Sequence, residues 1–328
     1  MRWGSPSIMP ENDVIPAPDQ NIRGQAPAGI RSSIKDFEDD ASSRFPIWLR
    51  RSVSVHGQWT QAKEIVRELD LHTVCEEARC PNLGECWSHG NVSFMILGDR
   101  CTRRCSFCAV ETAKPGEVDQ EEPQRLAEAI ARLGLQYAVI TSVARDDLPD
   151  EGTDIFAACV REIKKRSPAV QVEVLTPDFH ARRSLIQTVV EAQPDVYNHN
   201  IETIARLSRE VRPQADSRRS LEVLRLAKEI SGVRIKTKSG LMIGLGEEPE
   251  EVRQTMADLR AVGCDILTIG QYLQPTPAHR AVSVFLPPEQ FAEYRGWAYN
   301  LGFSFVASAP YVRSSYNAYE ALSREVSF

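Results

Sequence analysis

Beyond about residue 90 the chain alternates between two apolar patterns. Compact runs rich in Val and Ile predict strands at NVSFMIL (91–97), YAVITSV (137–143), VQVEVL (170–175), DVYNHN (195–200), RIKTKSGLMIG (234–244) and DILTIGQYL (265–273). Between them apolar positions recur every three or four residues, which predicts helices over 123–134, 153–166, 182–192, 217–230, 249–263 and 288–302. Strands separated by helices imply a parallel sheet with crossover helices, and six such units end in the short run FSFVAS (303–308). The class is therefore α/β, either an open doubly wound sheet or a partial (β/α)6 barrel. A dinucleotide-binding sheet would carry a glycine-rich turn after its first strand. Here that turn is Gly98-Asp99-Arg100-Cys101, rich in cysteine, and motif-like loops recur after nearly every strand. Barrels gather their sites at those strand ends, so the partial barrel is expected.

The pattern divides the chain into four segments. Residues 1–44 have no apolar periodicity, are rich in proline and end in an acidic stretch, and are expected to be a mobile leader. Met1 to Phe45 holds seven Asp or Glu against five Lys or Arg, which disfavours an organelle transit peptide. Residues 45–90 read as an N-terminal extension with one helix, Thr60 to Leu69, for which Thr60 is a candidate N-cap, followed by an irregular cysteine-bearing stretch. The barrel occupies 91–302 and a C-terminal extension 303–328.

Composition narrows the function. The chain has 328 residues, 42% hydrophobic and 26% charged, with a net charge of −6, which argues against a protein that grips a phosphate backbone. No run approaches the ~20 apolar residues of a membrane-spanning helix and no export signal is evident, so a cytoplasmic protein is expected. Six of the eight cysteines fall between Cys75 and Cys108. Such clustering without an export signal points to metal ligation in a reducing compartment rather than to disulfides. Cys159 and Cys264 lie on or beside predicted helices and read as small core residues.

The loop after the first strand carries Cys101, Cys105 and Cys108 in a C-x3-C-x2-C spacing. Three thiolates leave one iron of a four-iron cluster open, whereas a structural zinc site needs a fourth ligand. The spacing resembles the signature of the radical S-adenosylmethionine (SAM) superfamily, with Phe107 where that family places an aromatic. The earlier triplet, Cys75, Cys80 and Cys86 in C-x4-C-x5-C, would alone suit zinc completed by His72 or His89. Together with the first triplet, the block CEEARCPNLGECW closely resembles the lipoyl synthase family, as does Arg313-Ser314-Ser315-Tyr316 near the C-terminus. The resemblance implies two 4Fe-4S clusters: a radical SAM cluster on Cys101, Cys105 and Cys108, and an auxiliary cluster on Cys75, Cys80, Cys86 and Ser315, with Ser314 the alternative ligand. A serine oxygen is an unusual partner for iron in a sulfide cluster and suits a cluster dismantled for its sulfur.

Other loops resemble the same family. Thr141, or Arg145 with Asp146, is a candidate contact for the methionine end of SAM, although an ion pair capping the loop is an equal reading. Asn198 and Asn200 end a strand and are candidates to hydrogen-bond cofactor or substrate, while His199 between them reads better as a structural histidine than as a base. The resemblance implies radical-mediated insertion of two sulfur atoms at C6 and C8 of a protein-bound octanoyl-lysine, because unactivated carbons yield only to a strongly oxidising radical. Implied partners are octanoylated lipoyl-carrier domains (2-oxoacid dehydrogenase E2 subunits and the glycine cleavage H protein), a ferredoxin or flavodoxin reductant, and an iron–sulfur carrier. Nucleic acid and membrane are not expected. Another two-cluster enzyme such as a methylthiotransferase, or a non-catalytic iron–sulfur protein, is the rival reading, against which the acidic charge, the RSSY tail and the size of the fold all speak.

Overall fold

The computed structural model describes residues 45–50, 58–88, 90–316 and 318–323. The proposed leader and His89 fall outside these residues. The helix α1 (Gln58–Glu68) begins two residues before Thr60, which therefore sits in its first turn rather than at its cap. After the two-residue strand β1 (His72–Thr73), the cysteine-bearing stretch is not irregular as expected but folds into two short helices, α2 (Val74–Glu77) and α3 (Leu83–Ser88). Thr73 caps α2 by accepting from the Glu76 amide at 3.3 Å. Strand β1 runs antiparallel to β2 (Ser93–Ile96), with His72 opposite Met95, which stitches the extension to the first barrel strand.

The loop after β2 is pinched at its base by a second, minimal sheet: β3 (Arg100–Cys101) pairs in parallel with β4 (Glu111–Thr112). Strand–helix units then follow in the expected order. They comprise α4 (Glu122–Leu133), β5 (Tyr137–Ser142), α5 (Thr153–Arg166), β6 (Gln171–Leu175), α6 (Arg183–Glu191) and β7 (Val196–Asn198). An unforeseen short helix, α7 (Ala205–Val211), precedes α8 (Ser217–Ser231), β8 (Lys236–Ile243), α9 (Pro249–Ala261), β9 (Ile266–Gln271), α10 (Pro288–Asn300), β10 (Phe305–Ser308) and α11 (Glu320–Ser323). Local chemistry sets these boundaries. Asp216 caps α8 by accepting from the amides of Arg218 and Arg219, Pro249 opens α9, and Gly134 ends α4 in the left-handed conformation, with φ 62°.

The main sheet has the order β1-β2-β5-β6-β7-β8-β9-β10, parallel from β2 onward. Among the described residues no hydrogen bonds join β10 back to the first strands, so the barrel is partial, as expected. The outward face packs on the helices through side chains such as Ile140, Val172, Val174, Leu267 and Ile269. Each fully buried aliphatic of this kind contributes roughly 1.5–3 kcal/mol. Cys159 and Cys264 are completely buried within these two cores.

The inner face is different. It carries Tyr137, Glu173, Asn198 and Lys238, and it is met by the C-terminal segment, which includes the short helix α11. Ala318 packs with Tyr137 and Val139, and Ala321 packs with Val196, Ile266 and Phe305. Gly240 and Gly270 let this segment approach: a Cβ on Gly270 would overlap the carbonyl oxygen of Val312.

Candidate active site

The loop bearing Cys101, Cys105 and Cys108 is anchored at every turn. Two backbone amides, those of Arg103 and Ala144, point at the Cys101 sulfur at 3.4 and 3.3 Å. The Ser106 amide donates to Val211 O at 2.9 Å, the Arg104 amide to Gln214 Oε1 at 2.7 Å, and His279 Nε2 lies 3.0 Å from Cys108 O. Arg103 does most to hold the loop. Its guanidinium is buried and bonds Asp146 at 2.6 Å and Asp178 at 2.8 Å, which ties the cysteine loop to the ends of β5 and β6. Burial alone would push Asp178 up, but the Arg103 hydrogen bond and charge bring it down to about 2. Sequence reading missed Arg103 because it sits inside the C-x3-C spacing, where only the cysteines drew notice.

All eight cysteines are free thiols. Burial pushes Cys105 up to about 12 and Cys108 up to about 11, each raised further by neighbouring cysteines of the same triplet. Thiols this buried stay protonated at neutral pH unless a positive centre replaces the protons. Three convergent soft donors, with amides aimed at one of them, fit an iron–sulfur cluster. Arg212 and Glu202 face Cys105 with opposite charges, and Arg212 Nη1 donates to Asn200 O at 3.1 Å. Phe107 is half-buried against the second core beside them.

The other triplet lies across α2 and α3. Cys75 is buried, which raises its thiol, and the Cys80 charge adds to the rise. Cys80 and Cys86 are half-buried, and their loop grips the C-terminal segment twice. Asn82 Nδ2 donates to Tyr311 O at 2.7 Å, and Tyr316 Oη donates to Glu85 Oε1 at 3.0 Å. These two contacts bracket Ser314 and Ser315. The Ser314 hydroxyl donates to Asn200 Oδ1. Ser315 is half-buried, and its hydroxyl makes no hydrogen bond to a described residue.

The remaining expected contacts resolve as follows. Arg145 does not pair with Asp146: it bonds Asp147 at 2.9 Å and Gly116 O at 3.0 Å, while Asp146 is taken by Arg103. Thr141 Oγ1 donates to Leu175 O at 3.0 Å. His199 is buried between Thr176 O at 2.8 Å and Ser220 Oγ at 3.0 Å, and burial lowers it to about 4, so it is a neutral structural residue. Asn198 is fully buried, donates to Glu173 Oε1 at 2.6 Å, and leaves its own Oδ1 without a partner among the described residues. Glu173 also accepts from Tyr137 Oη at 2.7 Å and from Lys238 Nζ at 2.8 Å.

A partial parallel barrel with three cysteines in the loop after its first strand defines the class, and residues 95–259 match the radical SAM superfamily. Solved structures share the fold. Streptococcus suis SuiB bound to S-adenosylmethionine aligns at TM-score 0.52 and 12% identity over 75% of this chain and 56% of that one. The FeFe-hydrogenase maturase HydG from Carboxydothermus hydrogenoformans aligns at TM-score 0.51 and 13% identity over 82% and 70%.

Within that class the chain belongs to the lipoyl synthase family. Residues 19–80 match the N-terminal domain of lipoyl synthase. The chain is 55% identical to lipoyl synthase of Rubrobacter xylanophilus over 84% of its length and 85% of that protein's, and 54% identical to that of Thermus thermophilus over 83% and 85%. It is thus a sulfur-inserting radical SAM enzyme that uses SAM and iron–sulfur clusters and acts on lipoyl-carrier proteins. No described helix is long and apolar enough to cross a membrane.

Proposed function

We propose that Cys101, Cys105 and Cys108 hold the radical SAM cluster, and that Cys75, Cys80, Cys86 and Ser315 hold the auxiliary cluster that is spent as sulfur donor. The observation that carries this division is the double grip of the Cys80–Cys86 loop on the chain either side of Ser315, through Asn82–Tyr311 and Glu85–Tyr316. It ties the chain on both sides of Ser315, whose hydroxyl has no hydrogen-bond partner among the described residues, to the stretch that carries Cys80 and Cys86. Ser314, by contrast, is engaged by Asn200, which favours Ser315 as the oxygen ligand.

When bound, the radical cluster with SAM supplies a hydrogen-abstracting radical, and the auxiliary cluster supplies the two sulfurs placed at C6 and C8 of an octanoyl-lysine. The protein's own task is alignment. Arg103, through Asp146 and Asp178, fixes the first cysteine loop on two strand ends. Phe107, Thr141, Arg145, Asp146, Asn198 and Asn200 are the side chains proposed to meet cofactor or substrate, and the protein partners of Thr141, Arg145, Asp146, Asn198 and Asn200 hold them in place. In this reading the segments are a leader at 1–44, an extension with the auxiliary cysteines at 45–90, the barrel at 91–302 and a C-terminal extension with Ser315 at 303–328. On the inner face Glu173, held by Tyr137 and Lys238, accepts from Asn198 and so fixes its orientation.

The carriers are proposed to be 2-oxoacid dehydrogenase E2 subunits and the glycine cleavage H protein, docking transiently. A ferredoxin or flavodoxin supplies electrons and an iron–sulfur carrier restores the auxiliary cluster, in the cytoplasm. The test is an anaerobic single-turnover assay with an octanoyl-lysyl peptide, SAM and dithionite. Dithiolated peptide from wild type, and 5′-deoxyadenosine without sulfur insertion from Cys80→Ala, are expected. Cofactor cleavage with an unchanged peptide in the wild type would refute the substrate assignment.

A further inference from the structure

The RSSY segment is held from two sides, and only one side involves the auxiliary cysteines. On the barrel side the Ser314 hydroxyl donates to Asn200 Oδ1, and Asn198 Nδ2 donates to Ser314 Oγ at 3.5 Å. Asn200 is itself fixed, since its Nδ2 donates to Glu202 Oε1 at 2.9 Å and its carbonyl accepts from Arg212 at 3.1 Å. Glu202 and Arg212 are the charges that face Cys105. A single short stretch after β7 therefore contacts both the RSSY segment and the surroundings of the radical triplet.

The space for this contact is provided by Gly240 on β8. A Cβ there would lie 2.6 Å from Asn200 Oδ1 and 2.8 Å from Ser314 Oγ. Gly240 has no positive φ, so its backbone would accept alanine. What alanine would break is the contact between Asn200 and Ser314.

We propose that Ser314 is a positioning residue: latched to Asn200 in the gap left by Gly240, it sets the rotation of the RSSY segment so that the adjacent Ser315 hydroxyl faces Cys75, Cys80 and Cys86. Arg313 to Tyr316 form a turn closed by the Tyr316 amide donating to Arg313 O at 3.0 Å, with Ser314 and Ser315 as its two central residues, so fixing the Ser314 side chain on Asn200 also fixes the direction in which Ser315 projects. This rests on the reading above that Ser315 is the oxygen ligand of the auxiliary cluster. Ser314 makes no bond to iron in this account.

Two readouts test it on the full chain: Mössbauer spectra of protein reconstituted with iron-57, and amide exchange of residues 312–316 in cluster-free protein. Ser314→Ala and Gly240→Ala are expected to keep the radical-cluster signal, to lose the oxygen-ligated iron site from the auxiliary cluster, and to speed exchange of the segment about fivefold, the worth of one hydrogen bond. Ser315→Ala is expected to lose the same iron site with exchange unchanged. Wild-type spectra and exchange rates in Ser314→Ala would overturn the latch. So would loss of the iron site in Ser314→Ala while Ser315→Ala keeps it, since Ser314 would then be the ligand. Absence of any oxygen-ligated iron in the wild type would instead defeat the underlying assignment of Ser315, whatever the exchange data show.

Discussion

Arg103, two residues past the first cysteine of its triplet, reaches Asp178 just past the C-terminal end of β6 at 2.8 Å, with both side chains buried. The pair converts a short surface-loop motif into a fixture of the barrel. Replacing Asp178 with Asn leaves Asp146 to balance Arg103 but removes the buried half of the bridge, at a cost of about 3 kcal/mol. Asp178→Asn should therefore lower the melting midpoint by several degrees and reduce iron retained by the radical triplet. Unchanged melting and iron content would show that Asp146 alone suffices.

The pH dependence of stability has two separable windows. His199 is lowered from 6.5 to about 4, so between those values the unfolded chain takes a proton that the folded chain refuses. Stability is full above 6.5 and falls as pH drops toward 4, by about 3 kcal/mol at roughly 1.4 kcal/mol per pH unit. Asp178, lowered from 3.8 to about 2, adds a further loss only as pH drops below 3.8. Urea titrations of cluster-free protein at pH 7 and pH 4.5 should show the first loss in wild type and a much flatter profile in His199→Gln. An equal slope in both proteins would assign the acid sensitivity to other groups.

Lys238 and Glu173 form an ion pair that is almost wholly buried, 2.8 Å apart. Removing one partner strands a charge in the lumen. Lys238→Met or Glu173→Leu alone should each cost about 3–5 kcal/mol, while the double variant should lose less than the sum of the two, because no charge is then stranded even though Tyr137 and Asn198 still lose their acceptor. Additive losses measured by denaturant unfolding would contradict the pairing account. The double variant should still lose sulfur insertion, since Asn198 then lacks the Glu173 acceptor that orients it.

Gly270→Ala should act on the C-terminal segment from below, because the new methyl would collide with the Val312 backbone rather than with a movable side chain. Overpacking of this kind costs about 1–3 kcal/mol. The expected result is intact reductive cleavage of SAM with reduced sulfur insertion into the octanoyl peptide. Equal loss of both activities would show that the strain spreads to the radical site.

The sequence alone determined the alternation of strands and helices from β2 to β10 and pointed to metal ligation by two cysteine triplets. Both are local properties: the periods of 2 and 3.6 record which face of each element is buried, and the spacing of cysteines within a short stretch is read without any partner elsewhere. Cys159 and Cys264 were legible as core for the same reason. The helical form of the Cys75–Cys86 stretch was not, because α2 and α3 are too short to show a period. The inner face of the barrel was not legible either. Glu173 and Lys238 look like ordinary polar positions in their own strands, and only the assembled sheet brings them together with Asn198. Likewise, nothing near Arg103 in the chain announces Asp178, and nothing near Ser314 announces Asn200 or Gly240. These pairings join residues from distant parts of the chain, so they exist only once the parallel strands have set their register and the C-terminal segment has packed against the inner face, where burial makes each polar group seek a partner.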